Sequence, residues 1–106
     1  MNQKELAEYY WLRLEIEDCK KRLLDPDTSP QLAALIGQRL RRCVEQLQRI
    51  GTYIDAISDE MTRQIFLLRF CEGMSWQAVA AEMGMRVTSA KQRVCRQLKN
   101  NEETTP

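Results

Sequence analysis

Residues 72–98 read EGMSWQAVAAEMGMRVTSAKQRVCRQL, and this stretch decides the fold of the C-terminal part of the chain. Gly73 and Ser75 predict a turn followed by a helix start, and Gly84 predicts the end of that helix. Beyond Gly84, apolar residues recur every three or four positions and predict a second helix with one buried face: Val87, Ala90, Val94 and Leu98. Two such helices joined by a tight turn form a helix-turn-helix, whose second helix enters the DNA major groove.

The charge of the chain is concentrated in this second helix. The formal net charge is only +1, and residues 1–57 contain nine cations and nine acids. Between Arg86 and Lys99 there are five cations and no acid. A local cluster of this kind is typical of a phosphate-contacting helix, although it also occurs on an ordinary solvated face.

A third helix precedes the helix-turn-helix. Residues 58–70 read SDEMTRQIFLLRF, where Ser58 or Asp59 is placed to cap a helix. The apolar residues that follow recur at helical spacing, so a helix is predicted over residues 59–71.

The N-terminal half predicts a helical hairpin. Helical periodicity covers residues 3–24 and 30–56, and two prolines interrupt it at Pro26 and Pro30. The second helix has a four-three apolar stripe like that of a coiled coil, from Ile36 to Ile57. Because this stripe is longer than the first helix can cover, we expect the arm to pack on a second copy or on another protein. The alternative is an arm that rests on its own C-terminal helices.

The chain is therefore predicted to be all-α, with a long coiled-coil-like hairpin followed by a helix-turn-helix. We assign residues 1–57 to a helical hairpin or oligomerisation arm and residues 58–99 to a DNA-binding domain. Residues 100–106 are predicted to be a disordered tail.

The C-terminal two fifths of the chain resemble region 4 of bacterial sigma factors, especially those of the extracytoplasmic-function type. The resemblance runs from Ile57 to Leu98 and rests on five short matches: Arg69-Phe70, Gly73-Met74-Ser75-Trp76, Val79-Ala80, Met83-Gly84-Met85 and Ala90-Lys91-Gln92-Arg93-Val94. Ala90 departs from the pattern because a larger aliphatic residue is usual there. The second helix of the helix-turn-helix, called the recognition helix below, is therefore expected to lie closer to the first.

Burial of the apolar stripe would expose the opposite face of the recognition helix. Four residues on that face are candidates for reading base edges: Thr88, Lys91, Gln92 and Cys95. Seven others are candidates for backbone phosphate contacts: Ser75, Trp76, Gln77, Arg86, Arg93, Arg96 and Lys99. Simple packing remains the alternative for Trp76, and helix capping remains the alternative for Thr88.

The architecture is also similar to small sigma-like regulators of phages and prophages, of the ArpU and RinA kind. This resemblance implies a sequence-specific transcriptional regulator that binds double-stranded DNA as a dimer through its N-terminal helices, with RNA polymerase as a candidate protein partner. One alternative is a DNA-packaging subunit similar to small terminases, and another is a helical adaptor that binds protein.

The composition disfavours several other classes of protein, namely metalloproteins, enzymes and membrane proteins. The chain has no histidine and four widely spaced cysteines, so no metal site, cofactor or catalytic constellation is predicted. Three of the cysteines fall on apolar stripes, whereas Cys95 falls on the exposed face. No apolar run is long enough to span a membrane, and the first residues do not resemble a signal peptide, so a cytoplasmic location is expected.

Overall fold

The computed structural model describes the backbone of residues 1–104 and the side chains of residues 1–99. It contains α1 (Gln3–Leu24), α2 (Pro30–Asp55), α3 (Glu60–Phe66), α4 (Trp76–Met83) and α5 (Val87–Thr104), with a π-helical turn at Leu67–Cys71. No strand occurs among the described residues, and the predicted all-α class is confirmed. None of the helices in the described part is long and apolar enough to cross a membrane.

Two helices differ from the prediction by more than one residue. Helix α5 extends to Thr104, whereas we predicted its end at residue 99. Residues 100–104 of the predicted disordered tail continue the backbone of α5, and residues 105 and 106 lie outside the described residues. The predicted single helix over residues 59–71 changes at Leu67 into a π-helical turn, in which the Glu72 N–H donates to the Leu67 carbonyl oxygen at 3.0 Å. The apolar spacing predicts a helix here but does not distinguish the two hydrogen-bonding patterns.

Short-range hydrogen bonds explain where the helices begin and end. The side chains of Asn2, Ser29, Asp59 and Ser75 each accept a backbone N–H from the first turn of the helix that follows. Such N-caps satisfy donors that the helix itself leaves unpaired. Gly84 ends α4 in the left-handed conformation, with φ 65°. These local signals are readable from sequence, which is why the predicted bounds agree closely with the observed ones.

Helices α1 and α2 form the predicted antiparallel hairpin. Two ion pairs connect them, Arg39 with Glu15 and Arg49 with Glu5, the second at 3.2 Å. Exposed pairs of this kind contribute little to stability. The hairpin therefore depends mainly on apolar contacts along its seam, where Ile16 and Cys19 are buried.

The end of the α2 stripe is covered by the chain itself. Ile50, Ile54 and Ile57 are buried, and they belong to the same core as Leu6 of α1 and Phe66 of α3. The expectation that a second copy or another protein covers this end of the stripe is therefore wrong, because the arm rests on its own C-terminal helices. The complete buried cluster is continuous from the hairpin to α5: Leu6, Ile50, Ile54, Ile57, Ile65, Phe66, Phe70, Cys71, Val79, Ala90, Val94 and Leu98.

Helix α1 also holds the π-helical turn and the glycine that follows it. Arg13 Nη1 donates to the Cys71 carbonyl oxygen at 2.8 Å. The ring of Tyr10 packs so closely on Gly73 that a methyl group there would lie 2.9 Å from Tyr10 Cδ2. Burial raises the pKa of the Cys71 thiol to about 11. The hairpin thus contacts the segment that leads directly into α4.

Candidate nucleic-acid interface

Helices α4 and α5 are joined by a tight turn with a defined hydrogen-bond pattern. The Met85 N–H donates to the Ala80 carbonyl oxygen at 3.0 Å, and the Gly84 N–H donates to Ala81 at 3.3 Å. This is the Schellman arrangement, which needs a left-handed residue at the position of Gly84. Where the two helices pack, Ala80 and Ala90 are buried. Small side chains at both positions permit close approach.

The two faces of α5 differ sharply. Ala90, Val94 and Leu98 are buried, which agrees with the apolar stripe read from the sequence. The four candidate base readers are all exposed: Thr88, Lys91, Gln92 and Cys95. The cations Arg86, which precedes α5, and Arg96 and Lys99, which lie on it, are exposed as well. The outward face of α5 is thus polar and cationic, while the opposite face holds the helix on the core.

Arg93 lies apart from the other cations of α5 and is only partly exposed. Its Nη1 atom lies 3.3 Å from Asp59 Oδ2, at the N-terminus of α3. The same carboxylate accepts hydrogen bonds from the Thr62 hydroxyl and, at 3.0 Å, from the Thr62 N–H. Thr62 and, to a lesser extent, Arg93 hold the pKa of Asp59 below its usual range. A phosphate would have to compete with Asp59 for this guanidinium.

The three candidates at the start of α4 have different surroundings. The Ser75 hydroxyl already accepts the Ala78 N–H at 3.1 Å, so its oxygen is the cap of α4. Gln77 is exposed. Trp76 is partly buried, with the Arg69 guanidinium carbon 4.8 Å and the Lys91 Nζ atom 6.0 Å from its ring centroid.

The first turn of α1 borders the outward face of α5. Gln3 Nε2 lies 3.8 Å from the Cys95 Sγ atom, although 92 residues separate the two in the chain. Sequence reasoning did not assign Gln3, Asp59 or Arg69 to the neighbourhood of the site. Nothing in local spacing identifies such neighbours, because each contact depends on how distant helices pack.

The comparison with protein families agrees with this geometry. The protein-family model described as sigma-70, region 4 matches residues 59–100, about two fifths of the chain. This segment belongs to the sigma-70 region 4 family. Region 4 is a DNA-binding helix-turn-helix domain, and here it comprises α3, the π-helical turn, α4 and the matched part of α5. No curated protein and no solved structure matches the chain.

Proposed function

We propose that this protein is a sequence-specific, sigma-like transcriptional regulator that reads double-stranded DNA with α5. The observation that supports the proposal is the exposed face of α5 between Thr88 and Lys99, which carries cations and no acid and lies within a region 4 domain. Cations on that face would neutralise phosphates, and polar side chains among them would reach base edges in the major groove.

The candidate residues divide into two groups by chemistry. Lys91 and Gln92 have the donors and acceptors that read guanine and adenine edges. Arg96 and Lys99 are exposed cations suited to phosphate. Arg93 is a weaker phosphate contact than Arg96 in this proposal, because binding DNA would cost it the ion pair with Asp59.

Selection of bound fragments from random DNA tests the proposal first, followed by salt titration on the selected site. We expect Arg96→Ala to lower the slope of log affinity against log salt by about one, and to weaken all sequences alike. Arg93→Ala should lower it less. Gln92→Ala should instead cost about 1–3 kcal/mol on the selected site and relax the preference at one base pair.

Arg41→Ala is the matched control, since it removes the same charge from an exposed position on α2. It should leave both affinity and salt slope unchanged. If no sequence is enriched, or if Arg41→Ala and Arg96→Ala have the same effect, α5 is not the reading helix. A helical adaptor that binds protein would then be the better account.

The proposed biological role is control of phage or mobile-element genes, and it rests on the similarity to small sigma-like regulators. RNA polymerase is the proposed protein partner, since region 4 belongs to the transcription machinery. Transcription in vitro from a promoter that carries the selected site would test both points. A change in transcript level that requires the site and Gln92 would support a regulator rather than a packaging subunit.

Self-association through the hairpin remains part of the proposal, on a surface other than the α2 stripe. Large apolar side chains are exposed on the hairpin, with Trp11 at 68%, Leu35 at 62% and Leu24 at 84%. We propose a dimer that buries part of this surface. The double variant Trp11→Lys, Leu35→Lys should stay folded and be monomeric by analytical ultracentrifugation. Ring-sized assemblies of the parent would favour the packaging alternative, and a monomeric parent would exclude the dimer.

A further inference from the structure

The ring of Trp76 lies close to two cations, Arg69 of the π-helical turn and Lys91 of the candidate reading helix. Arg69 is held in place because its Nη1 atom donates to the Met74 carbonyl oxygen at 2.8 Å. Its guanidinium carbon lies 4.8 Å from the Trp76 ring centroid. The Nζ atom of Lys91, a residue of α5, lies 6.0 Å from the same centroid. One aromatic ring thus attracts two cations, of which only Lys91 is exposed.

The attraction has a consequence for the lysine. An aromatic face attracts an ammonium group within about 6 Å, and the lysine stem has many rotamers to lose when it is immobilised. A lysine that is partly ordered before binding loses less conformational entropy when it contacts a base. The ring also limits the directions in which the ammonium group can point.

We infer that Trp76 is a positioning residue, whose aromatic face orients Lys91 for base contact. The inference rests on the proposed function of α5 and deepens it. It assigns Trp76 a role different from the phosphate contact expected from sequence, which places Trp76 at the helix N-terminus whose backbone amides face a phosphate. Arg69 supports the arrangement from within the fold, because its own hydrogen bond to Met74 keeps it against the ring.

Substitutions of Trp76 separate the two roles. Trp76→Phe keeps an aromatic face and removes the N–H, whereas Trp76→Leu removes both. We expect Trp76→Leu to weaken binding to the selected site about two- to fivefold, the range of an exposed cation–π contact. Preference should relax at the base pair read by Lys91, and affinity for unrelated DNA should not change. Trp76→Phe should keep the preference.

The decisive comparison is a double-mutant cycle with Lys91→Met. If Trp76 acts through Lys91, Trp76→Leu has no further effect once Lys91 is replaced. If the two effects add, or if Trp76→Leu weakens all sequences alike, Trp76 acts by packing or phosphate contact and the inference is wrong. Circular dichroism of each variant establishes that the helices are intact.

A spectroscopic test needs no DNA and so separates this inference from the proposed function. The chain has two tryptophans, and Trp11 is 68% exposed, so Trp11→Phe leaves Trp76 as the only indole in a folded protein. In that background, Lys91→Met should change the emission maximum or lifetime, because indole emission responds to a nearby charge. Lys99→Met is the control and should change neither. An unchanged spectrum with Lys91→Met overturns the positioning role, while a parent that binds no DNA overturns the proposed function instead.

Discussion

Gly73→Ala should destabilise the protein through two separate effects. Gly73 has φ +71°, a left-handed conformation that costs a residue with a Cβ atom about 1–2 kcal/mol. The new methyl group would also lie 2.9 Å from Tyr10 Cδ2 and 3.2 Å from Tyr10 Cγ. Since Cγ lies on the rotation axis of the ring, turning the ring does not relieve the second contact. Overpacking of this kind costs about 1–3 kcal/mol.

Gly84→Ala is the matched control. Gly84 has φ +65°, but nothing lies within 4 Å of a Cβ atom built there. The cost should therefore be the conformational one alone, about 1–2 kcal/mol. Any gain from restricting the unfolded chain is similar for the two glycines and cancels in the comparison. Gly73→Ala should thus exceed Gly84→Ala by about 1–3 kcal/mol.

Urea unfolding of the two variants and of the parent measures this difference directly. A second pair of proteins isolates its cause. In a Tyr10→Ala background the contact is absent, so the excess cost of Gly73→Ala should disappear. If the two glycine variants are equally stable, or if the excess persists without Tyr10, then α1 does not pack on the turn before α4 as described. The contact matters for function because it fixes the helix-turn-helix against the hairpin.

Three further predictions concern other parts of the molecule. Leu6→Ala, at a fully buried side chain, should cost about 2–5 kcal/mol in urea unfolding, whereas Leu24→Ala, 84% exposed, should stay within about 0.5 kcal/mol of the parent. The lowered pKa of Asp59 means that its carboxylate stabilises the fold above the unfolded pKa of about 4, and that this contribution is lost as pH falls through the lower folded pKa. The difference in stability between the parent and Asp59→Ala, compared by thermal unfolding at neutral and acidic pH, should therefore shrink on acidification; a constant difference would contradict the assignment. At neutral pH the exposed Cys95 should be alkylated long before Cys71, whose pKa of about 11 leaves little thiolate, and bound DNA should protect Cys95. Mass spectrometry of the digested protein measures the order of alkylation, and alkylation of Cys71 before Cys95 would contradict the prediction.

Helix positions and faces could be predicted because their causes are local. Ser75 caps α4 and Gly84 ends it through bonds to residues three to five positions away, so both signals lie within a short window of sequence. The buried face of α5, including Ala90 and Val94, follows from a spacing of three and four residues. The same spacing placed Gln92 on the exposed face.

The partners of these faces were decided only by tertiary packing. An apolar stripe indicates that something must cover it but not what does so, and here Leu6 and Phe66 of the same chain cover Ile50 and Ile54. Electrostatic partners could not be predicted either. From the sequence, Arg93 was expected to be a free cation on a basic helix. It is paired with Asp59, 34 residues away, only because α5 packs on the start of α3. Local propensity thus determines the helices, whereas burial of apolar surface selects one arrangement among them and brings distant charges together.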